Sequence, residues 1–120
     1  MNHVLVADDS EDLLEMLSFT FKRRSISLLT ANSKDGLDNQ LKRVIPDLII
    51  IDAIFSDIDG RELCKELKSN TKYKDIPIII MSGNPVLLKD YKTFLADDVL
   101  EKPFLSNQLF SKISEFTKKS

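Results

Sequence analysis

Cysteine is almost missing from this 120-residue chain, which contains Cys64 alone. One cysteine cannot form an intrachain disulfide, and a zinc cluster cannot be built from cysteines. Excess charge of either sign is also missing, since 17 basic and 19 acidic residues leave a formal net charge of −2. General nucleic-acid binding needs a basic face, so we expect no nucleic acid to bind this domain.

Long hydrophobic runs are missing as well. The apolar run near the N-terminus covers residues 4–7 and is followed at once by Asp8. Such a run is far too short for a signal peptide or a membrane span. We therefore expect a cytoplasmic protein that does not bind membranes.

The composition that remains is that of an ordinary globular protein. Apolar residues make up 42% of the chain and charged residues 30%. This content is enough for a real core and is unlike that of a disordered tail. The length suits one domain, and no repeat, low-complexity stretch or linker divides it, so we expect residues 1–120 to form a single domain.

Five short segments rich in Val, Ile and Leu predict β-strands. They cover residues 4–7, 26–30, 48–51, 76–81 and, more weakly, 98–101. Continuous apolar runs of this length are typical of strands buried on both faces, as parallel strands between two helix layers are.

Segments with a helical period follow each strand. They cover residues 10–24, 33–44, 61–69, 86–95 and 104–118, and the spacing in residues 86–95 is the least regular. In the first of them Leu13, Leu14, Leu17 and Phe21 share one helix face. Strict alternation of strand and helix predicts a doubly wound α/β fold, with five parallel strands in the order 2-1-3-4-5 flanked by five helices.

Chemically active side chains stand where four of these strands end. They are Asp8 and Asp9 after strand 1, Asp52 after strand 3, Ser82 after strand 4 and Lys102 after strand 5. In doubly wound sheets the ligand site lies beyond the carboxyl ends of the strands, near the switch in strand order. We therefore expect three carboxylates, one hydroxyl and one ammonium group to meet in one cleft.

The chemistry of this set favours phosphoryl transfer assisted by a metal. Crowded carboxylates repel one another, and a divalent cation resolves the conflict. Mg²⁺ prefers oxygen ligands and is commonly held by one or two carboxylates plus phosphate oxygens. An aspartate such as Asp52 can act as the nucleophile that forms an acyl phosphate. Lys102 can supply positive charge and Ser82 a hydrogen-bond donor to the phosphoryl oxygens.

Over essentially its whole length the chain resembles the receiver domain of bacterial response regulators. Five marks in order carry the resemblance: Asp8-Asp9, Asp52, Asp59-Gly60, Ser82-Gly83 and Lys102-Pro103. Each mark is weak alone, but the ordered set is specific. The resemblance implies a flavodoxin-like fold and a phosphorylation switch that depends on Mg²⁺. It does not imply an enzyme with turnover on a separate substrate.

The resemblance also implies a role for each matching residue. Asp52 is the implied phosphoacceptor, and Ser82 and Lys102 are implied to bind the phosphoryl group. The implied Mg²⁺ ligands are Asp8, Asp9, Asp52 and the backbone carbonyl of Ile54. In this family the peptide bond between the equivalents of Lys102 and Pro103 is often cis.

Partners follow from the same resemblance. A histidine kinase or phosphotransfer protein is implied to supply the phosphoryl group and to contact the first helix and the loop after strand 5. An unidentified downstream protein is implied to contact the fourth helix, fifth strand and fifth helix, around residues 86–116. Nothing in the sequence names either protein.

Other interpretations stay open at this stage. Taken singly, the acids after strand 1 can be helix-capping residues, Lys102 a solvated lysine, His3 structural and Cys64 a core residue. Among whole functions, a pseudo-receiver that binds a partner without phosphorylation is the main alternative. An aspartate-dependent phosphatase is a weaker alternative, because the two acids after strand 1 are adjacent. A flavin carrier is also weaker, because these acids would repel a flavin phosphate.

Three positions depart from the family pattern. Val99 stands where receivers usually have an aromatic residue, so we expect an altered or small output change, with Tyr91 or Phe94 as partial substitutes. Ser56 stands where proline is usual, which predicts a more mobile loop after the phosphoacceptor. Ile54 is apolar and cannot orient an attacking water, which predicts slow loss of phosphate.

Overall fold

The computed structural model describes residues 2–117 and places five parallel strands in one sheet. These strands are β1 His3–Ala7, β2 Ser27–Ala31, β3 Leu48–Asp52, β6 Ile78–Ser82 and β7 Asp98–Glu101. They lie in the order β2-β1-β3-β6-β7. With the sheet strands counted alone this is the predicted order 2-1-3-4-5, and every pairing is parallel as expected.

The central strands are buried on both faces. Every residue of β6, and every residue of β3 before its terminal aspartate, is buried. Full burial of a large apolar side chain stabilises a fold by about 1.5–3 kcal/mol. The apolar runs therefore become central strands because only that position hides both of their faces.

In the described part of the chain, four α-helices cover the sheet in two layers. They are α1 Glu11–Arg23, α2 Lys34–Arg43, α3 Gly60–Lys68 and α4 Ser106–Thr117. One core cluster joins the sheet to α2 and α3 and includes Leu37 and Cys64, while the other joins it to α1 and α4 and includes Leu17 and Ile113. Cys64 is thus a core residue, as predicted. Residue 118, where the last helix was predicted to end, lies outside the described residues.

The helix predicted over residues 86–95 is wrong. The segment forms two single turns of 3-10 helix, Pro85–Leu88 and Tyr91–Phe94, and Leu95 ends the second turn in the left-handed region at φ 65°. Its first apolar residues are consecutive instead of three or four apart, so Val86 is exposed and Leu88 buried. A segment this short cannot hold an α-helix unless it buries a regular apolar face.

A small hairpin that the sequence analysis did not predict follows β3. Its strands are β4 Ile54–Phe55 and β5 Ile58–Asp59, which pair antiparallel. The turn residues Ser56 and Asp57 have φ values of 51° and 66°, as a type I′ hairpin turn requires. Proline is held near −65° and cannot adopt the backbone of Ser56, which explains why no proline stands there. The greater mobility expected of this loop stays a prediction.

None of the helices in the described part of the chain has the length and apolar character needed to cross a bilayer.

Candidate functional site

The sheet brings the predicted residues to one edge. In the strand register Ala7 lies opposite Ile51, Asp52 opposite Met81, and Ser82 opposite Glu101. The residues that end or follow these strands therefore stand at the same level. This places Asp8, Asp52, Ser82 and Lys102 around the switch in strand order, as the sequence predicted.

Lys102 joins two of the carboxylates directly. Its Nζ donates to Asp8 Oδ2 and to Asp52 Oδ2, at 2.7 Å in each case. The Lys102 backbone N–H donates to the carbonyl of Ser82 at 2.8 Å and so anchors the lysine beside the end of β6. The peptide bond from Lys102 to Pro103 is cis. One ammonium group thus bridges two acids that are 94 and 50 residues away in sequence.

Burial makes these charges strongly dependent on one another. Asp8 is 1% exposed. Burial raises the pKa of Asp8, the hydrogen bond from Lys102 opposes that rise, and the charge of Asp52 adds to it. Burial alone would lower the pKa of Lys102, but its hydrogen bonds to Asp52 and Asp8 and the charges of these acids together outweigh burial, and the pKa is raised. The lysine is therefore held as a cation between the two acids.

Backbone amides hold the remaining carboxylate oxygens. The N–H of Ser10 donates to Asp8 Oδ1 at 2.8 Å, and the N–H of Ile54 donates to Asp52 Oδ1 at 3.0 Å. Each carboxylate thus has one oxygen fixed by the backbone and one facing Lys102. The orientation of Asp52 is determined by its own β3–β4 connection.

Asp9 and Ser82 lie at the rim of this network. Asp9 is exposed, and its Oδ2 accepts from the N–H of Ser56 at 3.2 Å, across to the hairpin. Ser82 is buried, and its Oγ accepts from the N–H of Asn84 at 3.0 Å. The Ser82 hydroxyl hydrogen is not used in that bond and can be donated elsewhere.

The donor set is compatible with Mg²⁺. Within residues 2–117 no group of three or more His, Cys, Asp or Glu side chains is arranged to hold a metal ion. Mg²⁺ does not need such a cage, because it keeps several waters and takes one or two carboxylates. Asp8 is buried, its pKa is raised, and the charge of Asp52 contributes to that rise. A cation bound between the two carboxylates would stabilise their charged forms.

Gly60 contributes to the site in a way that the sequence analysis did not anticipate. A Cβ at this position would lie 1.9 Å from the backbone oxygen of Asp52. The Gly60 N–H also donates to the carbonyl of Ala53 at 2.8 Å. Asp59 caps α3 by accepting from the N–H of Arg61, at the start of the helix predicted over residues 61–69. The sequence signal for this close approach was a glycine at a helix start shortly after β3.

Two further positions are placed by the fold. His3 lies at the opposite end of β1 from the site, where its Nδ1 is 2.9 Å from the hydroxyl oxygen of Ser27, so its structural interpretation holds. Val99 is half-buried in β7, opposite Ile80, and packs against the cluster that contains α2 and α3.

The comparisons with known proteins agree with this geometry. A family model for the response regulator receiver domain matches residues 4–114. The chain belongs to this family. The heme response regulator HssR of Staphylococcus epidermidis is 32% identical over 115 residues, which are 94% of this chain and 50% of HssR. The phosphate regulon regulatory protein PhoB of Escherichia coli is 28% identical over 92% of this chain and 49% of PhoB.

A solved structure of a putative response regulator from Chloroflexus aurantiacus has a TM-score of 0.88 at 25% identity and covers 98% of each chain. The flavodoxin-like fold of a receiver domain is thereby confirmed. The receiver domain spans about half the length of the curated relatives it matches. The pseudo-receiver, phosphatase and flavin-carrier alternatives find no support among these relatives.

Proposed function

We propose that this receiver domain is a switch in which Asp52 accepts a phosphoryl group. The observation that carries the proposal is the bond of Lys102 to both Asp8 and Asp52 at 2.7 Å. A lysine held as a cation against the phosphoacceptor is positioned to neutralise the charge that a phosphoryl group brings. Residues 1–120 would form the receiver unit.

The transfer step uses one oxygen of Asp52 as the nucleophile. That oxygen forms a bond to phosphorus, and the bond from phosphorus to the donor's imidazole nitrogen breaks. The electron pair of the broken bond returns to the imidazole. Oδ1 of Asp52 is held by the N–H of Ile54. Oδ2 faces Lys102, and the fixed orientation lowers the entropic cost of reaching an in-line geometry.

Lys102 and Ser82 would bind the transferred group. The ammonium group would move from its contact with Asp52 to the phosphoryl oxygens while it stays bound to Asp8. Ser82 is buried at the end of β6 and has its hydroxyl hydrogen available to donate. These two residues are separate from the metal ligands and supply charge and a directed hydrogen bond.

Asp8, Asp9, Asp52 and the backbone carbonyl of Ile54 would hold Mg²⁺. When bound, Mg²⁺ supplies neutralisation of the phosphoryl oxygens. Asp8 would bind partly through water, since its carboxylate is buried and already accepts from Ser10 and Lys102. Asp9 is exposed and is the more accessible ligand.

The donor would be a histidine kinase or a phosphotransfer protein. Beside Lys102 lies an open hollow of about 600 Å³, with an apolar rim formed by Leu13, Met16 and Phe104. This rim provides a surface on which a protein can present a phosphohistidine. The downstream partner would contact the face around residues 86–116. A cytoplasmic location fits such partners.

The proposed function predicts one phosphoryl group per chain. The test is intact-mass spectrometry after incubation with acetyl phosphate, with and without Mg²⁺, beside the variant Asp52→Asn. The wild type should gain one phosphoryl group only with Mg²⁺, and the variant none. Equal labelling of the variant would move the acceptor away from Asp52, and no labelling of the wild type would contradict the proposal.

A further inference from the structure

A chain of contacts leaves the phosphoacceptor loop through Arg61. Its Nε donates to Asp59 Oδ1 at 3.0 Å and its Nη2 to Asp59 Oδ2 at 2.9 Å. The same guanidinium carbon lies 4.9 Å from the centroid of the Phe94 ring. We name Asp59, Arg61 and Phe94 the Arg61 latch. A guanidinium held by two parallel hydrogen bonds cannot rotate freely, so its stacking on Phe94 has a fixed direction.

One end of the latch is attached to the site. Asp59 pairs with Ile54 across the hairpin, and Ile54 donates its N–H to Asp52. Gly60 lies so close to the backbone oxygen of Asp52 that no side chain fits between them. A displacement of the backbone after Asp52 must therefore move Asp59 and with it Arg61.

The other end of the latch is the second 3-10 turn. The N–H groups of Leu95 and Ala96 donate back to the carbonyls of Lys92 and Tyr91 and close this turn. Phe94 is half-buried and packs against the same core cluster as Val99. Val99 carries no ring that could swing toward the site, whereas Phe94 is joined to the phosphoacceptor loop by Arg61.

We propose that Arg61 is a positioning residue that couples the state of Asp52 to the Tyr91–Phe94 turn. This inference rests on the proposed function and extends it to the route by which the switch is read. A conformational change at Asp52 is transmitted through the backbone that follows it and through the Arg61 latch. As a result, the mobility of the surface around Phe94 changes.

Hydrogen exchange in the resting chain tests the coupling without a phosphodonor. The substitution Phe94→Leu removes the ring, and it should speed exchange of the Gly60 amide as well as that of the Leu95 amide. Loss of a surface cation–π contact implies roughly two- to five-fold faster exchange. Phe94→Tyr keeps the ring and should restore wild-type rates. An effect of Phe94→Leu confined to residues 91–96 would overturn the inference.

Arg24 offers a matched control. Its guanidinium lies 4.2 Å from the ring centroid of Phe110, at the C-terminal end of α1. Arg61→Lys keeps the charge but loses the planar stacking and the paired hydrogen bonds, and it should speed exchange at both ends of the latch. Arg24→Lys also removes a guanidinium that lies over a ring, but elsewhere in the fold, and should alter neither end. Equal effects of the two substitutions would contradict a specific role for Arg61.

Phosphorylation supplies the second arm, with intact mass measured in parallel. Acetyl phosphate and Mg²⁺ should change exchange at residues 91–96 in the wild type. Phe94→Leu should accept the phosphoryl group but lose at least half of that change. A labelled wild type with no change at residues 91–96 overturns the inference and leaves the proposed function intact. An unlabelled wild type defeats the proposed function, and the resting-state comparison then decides whether the latch couples its two ends.

Discussion

Replacing Lys102 by methionine should cost the fold about 3 kcal/mol at neutral pH. The ammonium group is 2.7 Å from a carboxylate oxygen of Asp8 and of Asp52, and Asp8 is 1% exposed. Removing one partner from a buried charge network costs about 3–5 kcal/mol, because the remaining charges are left unpaired. The Lys102 side chain is 25% exposed, so water replaces part of the lost interaction and the lower value applies.

The loss should shrink as the pH falls. Burial already raises the pKa of Asp8, and the hydrogen bond from Lys102 opposes that rise. Without the ammonium group the pKa of Asp8 rises further above its unfolded value. The folded variant then binds a proton more readily than the unfolded chain does, so its stability relative to the wild type increases below neutral pH.

Urea unfolding at several pH values measures both effects, and Lys112→Met is the matched control. Lys112 makes one ion pair at the same distance, 2.7 Å to Asp98, with both side chains about a quarter exposed. Neither partner of this pair is fully buried as Asp8 is, so removing Lys112 should cost only about 1 kcal/mol or less. The double variant Asp8→Asn with Lys102→Met should recover part of the loss. Equal losses for the two lysines, or no recovery in the double variant, would refute the reasoning.

Three further outcomes can be checked separately. Ile54→Asn should release phosphate from Asp52 faster than the wild type, because a polar side chain can orient water; an unchanged decay of the labelled mass contradicts this. Gly60→Ala should destabilise the fold by about 3 kcal/mol or more, since its Cβ would lie 1.9 Å from a backbone oxygen, whereas Gly83→Ala has no contact closer than 4.0 Å and should be nearly neutral in urea unfolding. Cys64 is fully buried and burial raises its pKa to about 12, so iodoacetamide at mildly alkaline pH should label the chain in urea and spare the native chain.

Most of the sheet could be predicted because burial leaves a direct pattern in the residues. The apolar runs at residues 48–51 and 76–81 are almost unbroken, and only central strands bury both faces. The alternation of strand and helix predicted a doubly wound sheet, and the strand order was predicted because the five-stranded version usually runs 2-1-3-4-5. The site residues could be named because the carboxyl ends of parallel strands meet at one edge.

The conformation of residues 86–95 and the hairpin after β3 could not be predicted, for two different reasons. Residues 86–95 include apolar residues at helical spacing, such as Leu88, Tyr91 and Leu95, yet they form 3-10 turns, so packing against the sheet decides their conformation. The hairpin depends on positive φ angles at Ser56 and Asp57, which carry no glycine or asparagine signal. Short-range conformation of this kind is stabilised by contacts from outside the segment, such as that of Asp9 with Ser56.

The sequence by itself determined the alternating α/β fold, the strand order and the identity of the acidic, hydroxyl and basic groups at the sheet edge. Only the tertiary structure decided which of these groups bind one another. Lys102 binds Asp8 and Asp52, and Asp9 accepts a hydrogen bond from the hairpin. The Arg61 guanidinium lies over the ring of Phe94. Periodicity can be recognised from residues that are close in sequence. These contacts join residues that are far apart in the chain, so their distances depend on how the strands and helices pack.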